Sequence, residues 1–308
     1  MSGELEILRF ENEGVPLQAI LTGATDGPWV VLIHGFPDTP YNWSGVAKLL
    51  GQLGYRVAMP WLRGYTEESA SKEFEYGVMP AVRDLTELMR ALGNPPAHVV
   101  GHDWGSIVAS VHANSQVNTW TSVSLLAVPP FEGLAGSPWK VLRTLPAQLK
   151  RSSYMWEMQK EDSCDRLAAN HCEAVRTLWK EWSPGWEFTD SQFDAVKDVF
   201  SKPLLGWAAT RYYRSLFTLH KRDTWLTGLG AMGRLVHPVL ALSGEKDGCM
   251  GKDFQEAMFG VAESNPLLRT HLVPGCGHFL QAERPAEVAA LLHEHFQLAN
   301  ARLFTTTT

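Results

Sequence analysis

Four short segments hold residues able to do covalent chemistry, and each follows an apolar run. In Gly101-His102-Asp103-Trp104-Gly105 a small residue stands two places before and two after a central aspartate. That spacing suits a tight strand-to-helix turn, which strains the central backbone and exposes its side chain above a sheet. An aspartate held there is a carboxylate nucleophile. His34-Gly35-Phe36-Pro37 ends an earlier run, and its turn can aim the Phe36 backbone N–H at the same place. With the Trp104 N–H it would form an oxyanion hole. Ser243-Gly244-Glu245-Lys246-Asp247 supplies an acid, Asp247, with Glu245 the alternative. Gly275-Cys276-Gly277-His278 supplies a base. In chain order the set reads Asp103, Asp247, His278: nucleophile, acid, histidine. Ser106 sits one turn into the following helix, away from the apex, and His34 and His102 are read as local hydrogen-bonding groups.

These residues need a scaffold that brings strand ends together. Trp29–Ile33 is a continuous apolar run too short for a helix, as in a strand buried on both faces of a parallel sheet. Strand patterns are expected at 5–10, 17–21, 29–33, 55–59, 97–100, 122–128, 236–242 and 269–273. Helical patterns are expected at 46–53, 80–92, 106–114, 190–199, 208–220 and 285–298. The turn-like Asn12-Glu13-Gly14 separates the first two strands. Alternation of strand and helix implies a mainly parallel sheet flanked by helices. From Phe131 to Arg234 no apolar strand run appears, and this stretch holds seven of the 12 tryptophans: Trp139, Trp156, Trp179, Trp182, Trp186, Trp207 and Trp225. A helical insertion over 131–234 is therefore expected between two parts of one core, 1–130 and 235–308. Most of the tryptophans are expected to pack the insertion and a few to line a pocket. Thr305–Thr308 are expected to fray.

The composition is that of a globular protein, with 45% hydrophobic and 19% charged residues. A net charge of −6 gives no broad attraction for nucleic acid or for an anionic membrane. The four cysteines, Cys164, Cys172, Cys249 and Cys276, form no CxxC pair, which fits free thiols in a reducing compartment. The acidic start lacks the features of a signal peptide, and no apolar stretch approaches a membrane span. The expectation is a soluble cytoplasmic protein with its oligomeric state, monomer or homodimer, open.

The segments HGFP, GHDWGS, GEKD and GCGH resemble the α/β-hydrolase superfamily in its epoxide hydrolase and haloalkane dehalogenase branch, and Arg63-Gly64-Tyr65 matches a further structural marker of that branch. The resemblance covers nearly the whole chain and makes the insertion a lid. It implies a small-molecule substrate, no cofactor and no metal. An Asp nucleophile suits displacement at a saturated carbon, giving an alkyl ester on Asp103 that water activated by His278 then hydrolyses. The epoxide hydrolases of this branch supply two lid tyrosines to the leaving oxygen. By that likeness Arg151-Ser152-Ser153-Tyr154 and Arg211-Tyr212-Tyr213-Arg214 offer Tyr154 and Tyr213, with Tyr212 the substitute for the latter. Phe36, Trp104, Trp156 and Tyr212 are expected to line the substrate site, and the tryptophan-rich lid points to a bulky apolar or aromatic substrate. Trp104 also resembles a halide ligand of dehalogenases, although Phe36 stands where many of those carry asparagine. A third reading is a non-catalytic binding protein on the same fold; the intact triad opposes it.

Overall fold

The computed structural model describes residues 6–305 except 117–118, 133, 135–137, 235 and 261–264. Its centre is an eight-stranded sheet in the order β1-β2-β4-β3-β5-β6-β7-β8. The strands are β1 (Glu6–Asn12), β2 (Val15–Gly23), β3 (Trp29–Ile33), β4 (Arg56–Pro60), β5 (Ala97–His102), β6 (Trp120–Leu126), β7 (Val239–Gly244) and β8 (Leu268–Val273). β1 and β2 form an antiparallel hairpin whose turn residues Glu13 and Gly14 both take positive φ. β2 is antiparallel to β4, and from β4 to β8 every neighbour is parallel. Parallel strands need crossovers, so their C-terminal ends gather along one edge. The four chemistry-bearing segments leave from that edge.

All five residues of β3 are buried, because alternate side chains serve two cores. Val31 and Ile33 join Leu85, Leu88 and Val108 on one face. Val30 and Leu32 join Val46, Leu50 and Leu292 on the other. The covering helices are α1 (Ser44–Gln52), α2 (Val78–Ala91), α3 (Trp104–Ser115) and, closing the chain, α12 (Pro285–Thr305). Thr305 thus ends a helix, and 306–308 of the expected frayed tail lie outside the described residues, as do Leu5 of the first expected strand and the 235 boundary.

Between β6 and β7 the described residues are helical without a strand: α4 (Pro138–Arg151), α5 (Tyr154–Glu157), α6 (Ser163–Trp182), α7 (Asp190–Phe200), α8 (Pro203–Ser215) and α9 (Arg222–Met232). Beyond β7 lie α10 (Lys252–Phe259) and α11 (Leu280–Glu283). α7 starts at a capping box made by Thr189 and Gln192, which satisfies two otherwise orphaned backbone donors. The helix expected at 208–220 runs instead over 203–215. Pro203 opens it at a position where no N–H is needed. α6 is interrupted at Ala169–Cys172, where Asn170, His171 and Cys172 take left-handed φ of 48, 58 and 64°. The strand expected from 236 starts at Val239; Pro238 cannot donate to a ladder, and Val236 is exposed. No helix among the described residues is long and apolar enough to cross a membrane. All four cysteines are buried free thiols.

Candidate active site

The turn after β5 is tight. Asp103 has φ 53° and ψ −117°, a conformation that costs a non-glycine residue about 1–3 kcal/mol. A β-carbon on Gly101 would collide with the Gly105 carbonyl, and one on Gly105 with the Ile33 carbonyl. Both flanking positions therefore require glycine. Gly35 is under the same constraint from Asp103 itself. That close approach lets the Phe36 N–H donate to Asp103 Oδ1 at 2.7 Å. The Trp104 N–H lies close enough to help hold the carboxylate pKa down. Ser106 is turned inward, its hydroxyl donating to the carbonyls of Gly101 and Leu126 at 2.8 and 2.9 Å.

On the opposite side His278 Nε2 stands 3.7 Å from Asp103 Oδ2. His278 Nδ1 donates to Asp247 Oδ2 at 2.9 Å, which fixes the tautomer and leaves Nε2 as the basic nitrogen, with no hydrogen-bond partner. Asp247 Oδ1 accepts the N–H groups of Cys249 and Met250, each at 2.8 Å. His278 and Asp247 are buried. Burial pulls the imidazole pKa down, but Asp247, by charge and hydrogen bond, and Asp103 outweigh it, and the net shift is upward from 6.5. Burial raises the Asp103 pKa above its ordinary 3.8, against the pull of His278, His102 and the two backbone N–H groups. Glu245, the alternative acid, faces outward and pairs with Lys252 at 2.9 Å.

The lid closes the other side with aromatic rings. Tyr213 on α8 lies edge-on to Trp104 and Phe36, with centroids 5.0 and 5.1 Å apart. Tyr154 on α5 contacts Tyr213 and Trp182, at 5.6 and 4.9 Å. Its hydroxyl lies 3.7 Å from Cys249 Sγ, and the Tyr213 hydroxyl has only the Tyr154 phenol and the Trp104 indole beside it. Burial pushes both phenols well above their ordinary pKa of 10, with Cys249 and Asp103 adding to the shift at Tyr154 and Asp103 at Tyr213. Both are neutral donors at physiological pH. The structure thus gathers Asp103, His278, Asp247, Phe36, Trp104, Tyr154 and Tyr213.

Two expected pocket residues lie elsewhere. Trp156 is 62% exposed and rests against Phe217; two residues beyond Tyr154 on one helical turn, it points away from the site. Tyr212 is buried, but its hydroxyl donates to the Arg63 carbonyl at 3.2 Å, so its ring only backs Trp104. Arg63 itself is locked on Asp84, with Nε to Oδ2 at 2.7 Å. His34 accepts the Leu62 N–H at 3.0 Å, a local role as expected of it.

Other contributors left little mark in the sequence. Trp182 accepts the N–H groups of His278 and Gly248 through its carbonyl, both at 3.0 Å, and so ties the lid to the catalytic loops. A backbone acceptor has no sequence signal. Cys249 touches Tyr154 with its thiol while its N–H holds Asp247. His102 Nε2 donates to the His278 carbonyl at 3.0 Å. Its other nitrogen is 3.6 Å from Asp38, which Gln281 holds at 3.0 Å. Asp38 directly follows the HGFP segment, and that proximity was the available clue. No cluster of potential metal ligands occurs among the described residues.

A strained aspartate at a strand end, with a backbone donor on one oxygen and an acid-supported histidine beside the other, defines a class of hydrolase. The model of the alpha/beta hydrolase family matches residues 30–291, and the chain belongs to that family. Its curated relatives include epoxide hydrolases. It is 27% identical to an epoxide hydrolase of Caballeronia sordidicola, over 98% of this chain and 97% of that one. It is 26% identical to epoxide hydrolase A of Mycobacterium tuberculosis, over 92% and 95% of the two chains. Among solved structures, epoxide hydrolase A from Mycobacterium thermoresistibile superposes with a TM-score of 0.77 at 26% identity, covering 95% of this chain and 98% of that one. An epoxide hydrolase from Vigna radiata shares the fold with a TM-score of 0.78 at 23% identity, covering 96% and 98%.

Proposed function

We propose that the protein opens epoxides to vicinal diols in two steps through an alkyl ester on Asp103. One observation carries this reading: a basic histidine nitrogen stands 3.7 Å from the Asp103 carboxylate, and the lid rings packed on Trp104 and Phe36 bring up two neutral phenols, Tyr213 buried and Tyr154 half-buried. With Oδ1 held by the Phe36 N–H, Oδ2 attacks an epoxide carbon. The C–O bond breaks, and the departing oxygen takes hydrogen bonds and then a proton from Tyr154 or Tyr213. Next, His278 Nε2 takes a proton from water as its oxygen adds to the Asp103 carbonyl carbon. The Phe36 and Trp104 N–H groups stabilise the oxyanion, and Asp247 stabilises the imidazolium. The carbonyl carbon–oxygen bond to the substrate then breaks, and the leaving oxygen takes the proton of the newly added hydroxyl. The proton held on His278 passes through solvent to the tyrosinate, so that the diol departs and carboxylate, neutral imidazole and phenol are restored.

The role of lid belongs, in this reading, to 131–234, and the core is 1–130 with 235–308. The rings of Phe36, Trp104 and Trp182 around the site support an apolar or aromatic small-molecule substrate. Four buried thiols support a cytoplasmic location.

A second reading, haloalkane dehalogenation, has one feature in its favour: the Trp104 indole N–H is buried with no acceptor beside it but the Tyr213 phenol. Incubation with styrene oxide and with 1,2-dibromoethane separates the two. Diol formation is expected; bromide release without diol would refute the epoxide reading.

A further inference from the structure

Away from Asp103, a cavity of about 610 Å³ lies where the lid helices α8 and α9 meet the start of α2 in the core. That volume is typical of small-ligand pockets. Five cationic side chains line it against two carboxylates. Both carboxylates are already engaged: Asp223 holds Arg83 at 3.1 Å and Glu75 holds Lys221 at 2.9 Å. Arg214 spends its guanidinium on the carbonyls of Met158 and Lys160, at 3.4 and 2.6 Å. Arg211 and Arg222 have no acidic partner among the described residues. The Arg211 guanidinium lies 4.1 Å over the Trp207 ring, and its buried Nε donates to nothing.

Holding like charges together while leaving a buried guanidinium donor unpaired is costly. An anion with several acceptor oxygens would relieve both costs at once, and arginine forks suit tetrahedral phosphate oxygens. We propose that this cavity is a binding site for a phosphate-bearing small anion, with Arg211 and Arg222 as its principal ligands. Phe74 and Trp207 give it an apolar wall able to take the organic part of a phosphate ester. Such a ligand would bridge lid and core, because Arg211 and Arg222 belong to lid helices and Arg83 to α2. It would also bear on α8, which carries Tyr213.

Titration calorimetry with inorganic phosphate and with phenyl phosphate, at ionic strength matched with chloride, tests this. Saturable binding is expected, weakened about tenfold or more in Arg211→Gln and in Arg222→Gln. Circular dichroism and melting without phosphate check that each variant is folded, and either one suffices if the other is not. Tighter binding of phenyl phosphate assigns the site to an ester, and equal binding assigns it to the free anion. Heats no different from the chloride control, or binding undiminished in a folded variant, would overturn the proposal.

Discussion

The two sides of the site are built by different physics. The core side is made of strand ends, where each functional atom is fixed by a short bond or a backbone constraint: Phe36 N–H on Asp103 at 2.7 Å, His278 on Asp247 at 2.9 Å, and a left-handed φ at Asp103 itself. The lid side is made of rings in contact. Tyr213 is held by ring contacts with Trp104, Phe36 and Tyr154, and no backbone or carboxylate group fixes its hydroxyl. The core side therefore holds Asp103 and His278 in one geometry, whereas in the proposed reaction the lid side presents donors whose alignment the substrate oxygen completes. The core should carry steps that nothing else can replace, and the lid should share its work between two residues.

The largest effect is expected at the nucleophile. Asp103→Asn should lower turnover by about four orders of magnitude, measured as diol from styrene oxide. The same variant should be more stable. The folded pKa of Asp103 lies above its ordinary value, so the folded chain holds this proton more tightly than the unfolded chain. Ionisation thus opposes folding, and its contribution to stability declines as pH rises from 3.8 through the raised folded value and stays lost above it. Removing the charge should raise the melting temperature by about 2 °C, read by calorimetry.

Next come the lid donors. Tyr154→Phe and Tyr213→Phe should each cost about a hundredfold in kcat/KM for an epoxide, and the double variant far more than either. A single variant as dead as Asp103→Asn would break the distinction between the two sides. Smaller again is the pH effect. His278 must be neutral to act as base, and its pKa is raised. Turnover should fall as pH drops through a value above 6.5. Replacing Asp247 by Asn removes the main upward influence and should move that limb to lower pH while slowing hydrolysis of the ester, measured by stopped-flow fluorescence. The smallest effects belong to the outer lid. Trp156→Ala should change kcat/KM by less than about twofold, since its ring lies outside the site. Tyr212→Phe should cost about 1 kcal/mol of stability through the lost bond to Arg63, with little change in rate.

The same contrast explains what the sequence made legible. Core elements announce themselves because apolar alternation, glycine spacing and strand-end position all follow from backbone geometry. β3 was readable to the residue as 29–33, and the elbow was readable from Gly101 and Gly105. The lid obeys packing rather than period. Its helices pack through ring contacts, so Ala208 looked like a helix start when Pro203 was, and Trp156 looked suited to a pocket that Trp182 borders instead. Tryptophan enrichment marks a lid without telling which rings face inward; Trp139, Trp156 and Trp225 are 76, 62 and 62% exposed. Tyr154 and Tyr213 were reached through resemblance, not through any local pattern. The Trp182 carbonyl that ties the two sides together is a backbone atom, present in every residue and visible only in the fold.

In the proposed reaction Asp103 donates the oxygen atom in the first step. A single turnover of excess enzyme with styrene oxide in water enriched in oxygen-18 reads this directly. The account predicts a first-turnover diol with no label, its new oxygen having come from the Asp103 carboxylate, and the label recovered on the peptide that contains Asp103. A first-turnover diol carrying solvent oxygen would contradict it, because water and not the carboxylate would then have attacked the epoxide.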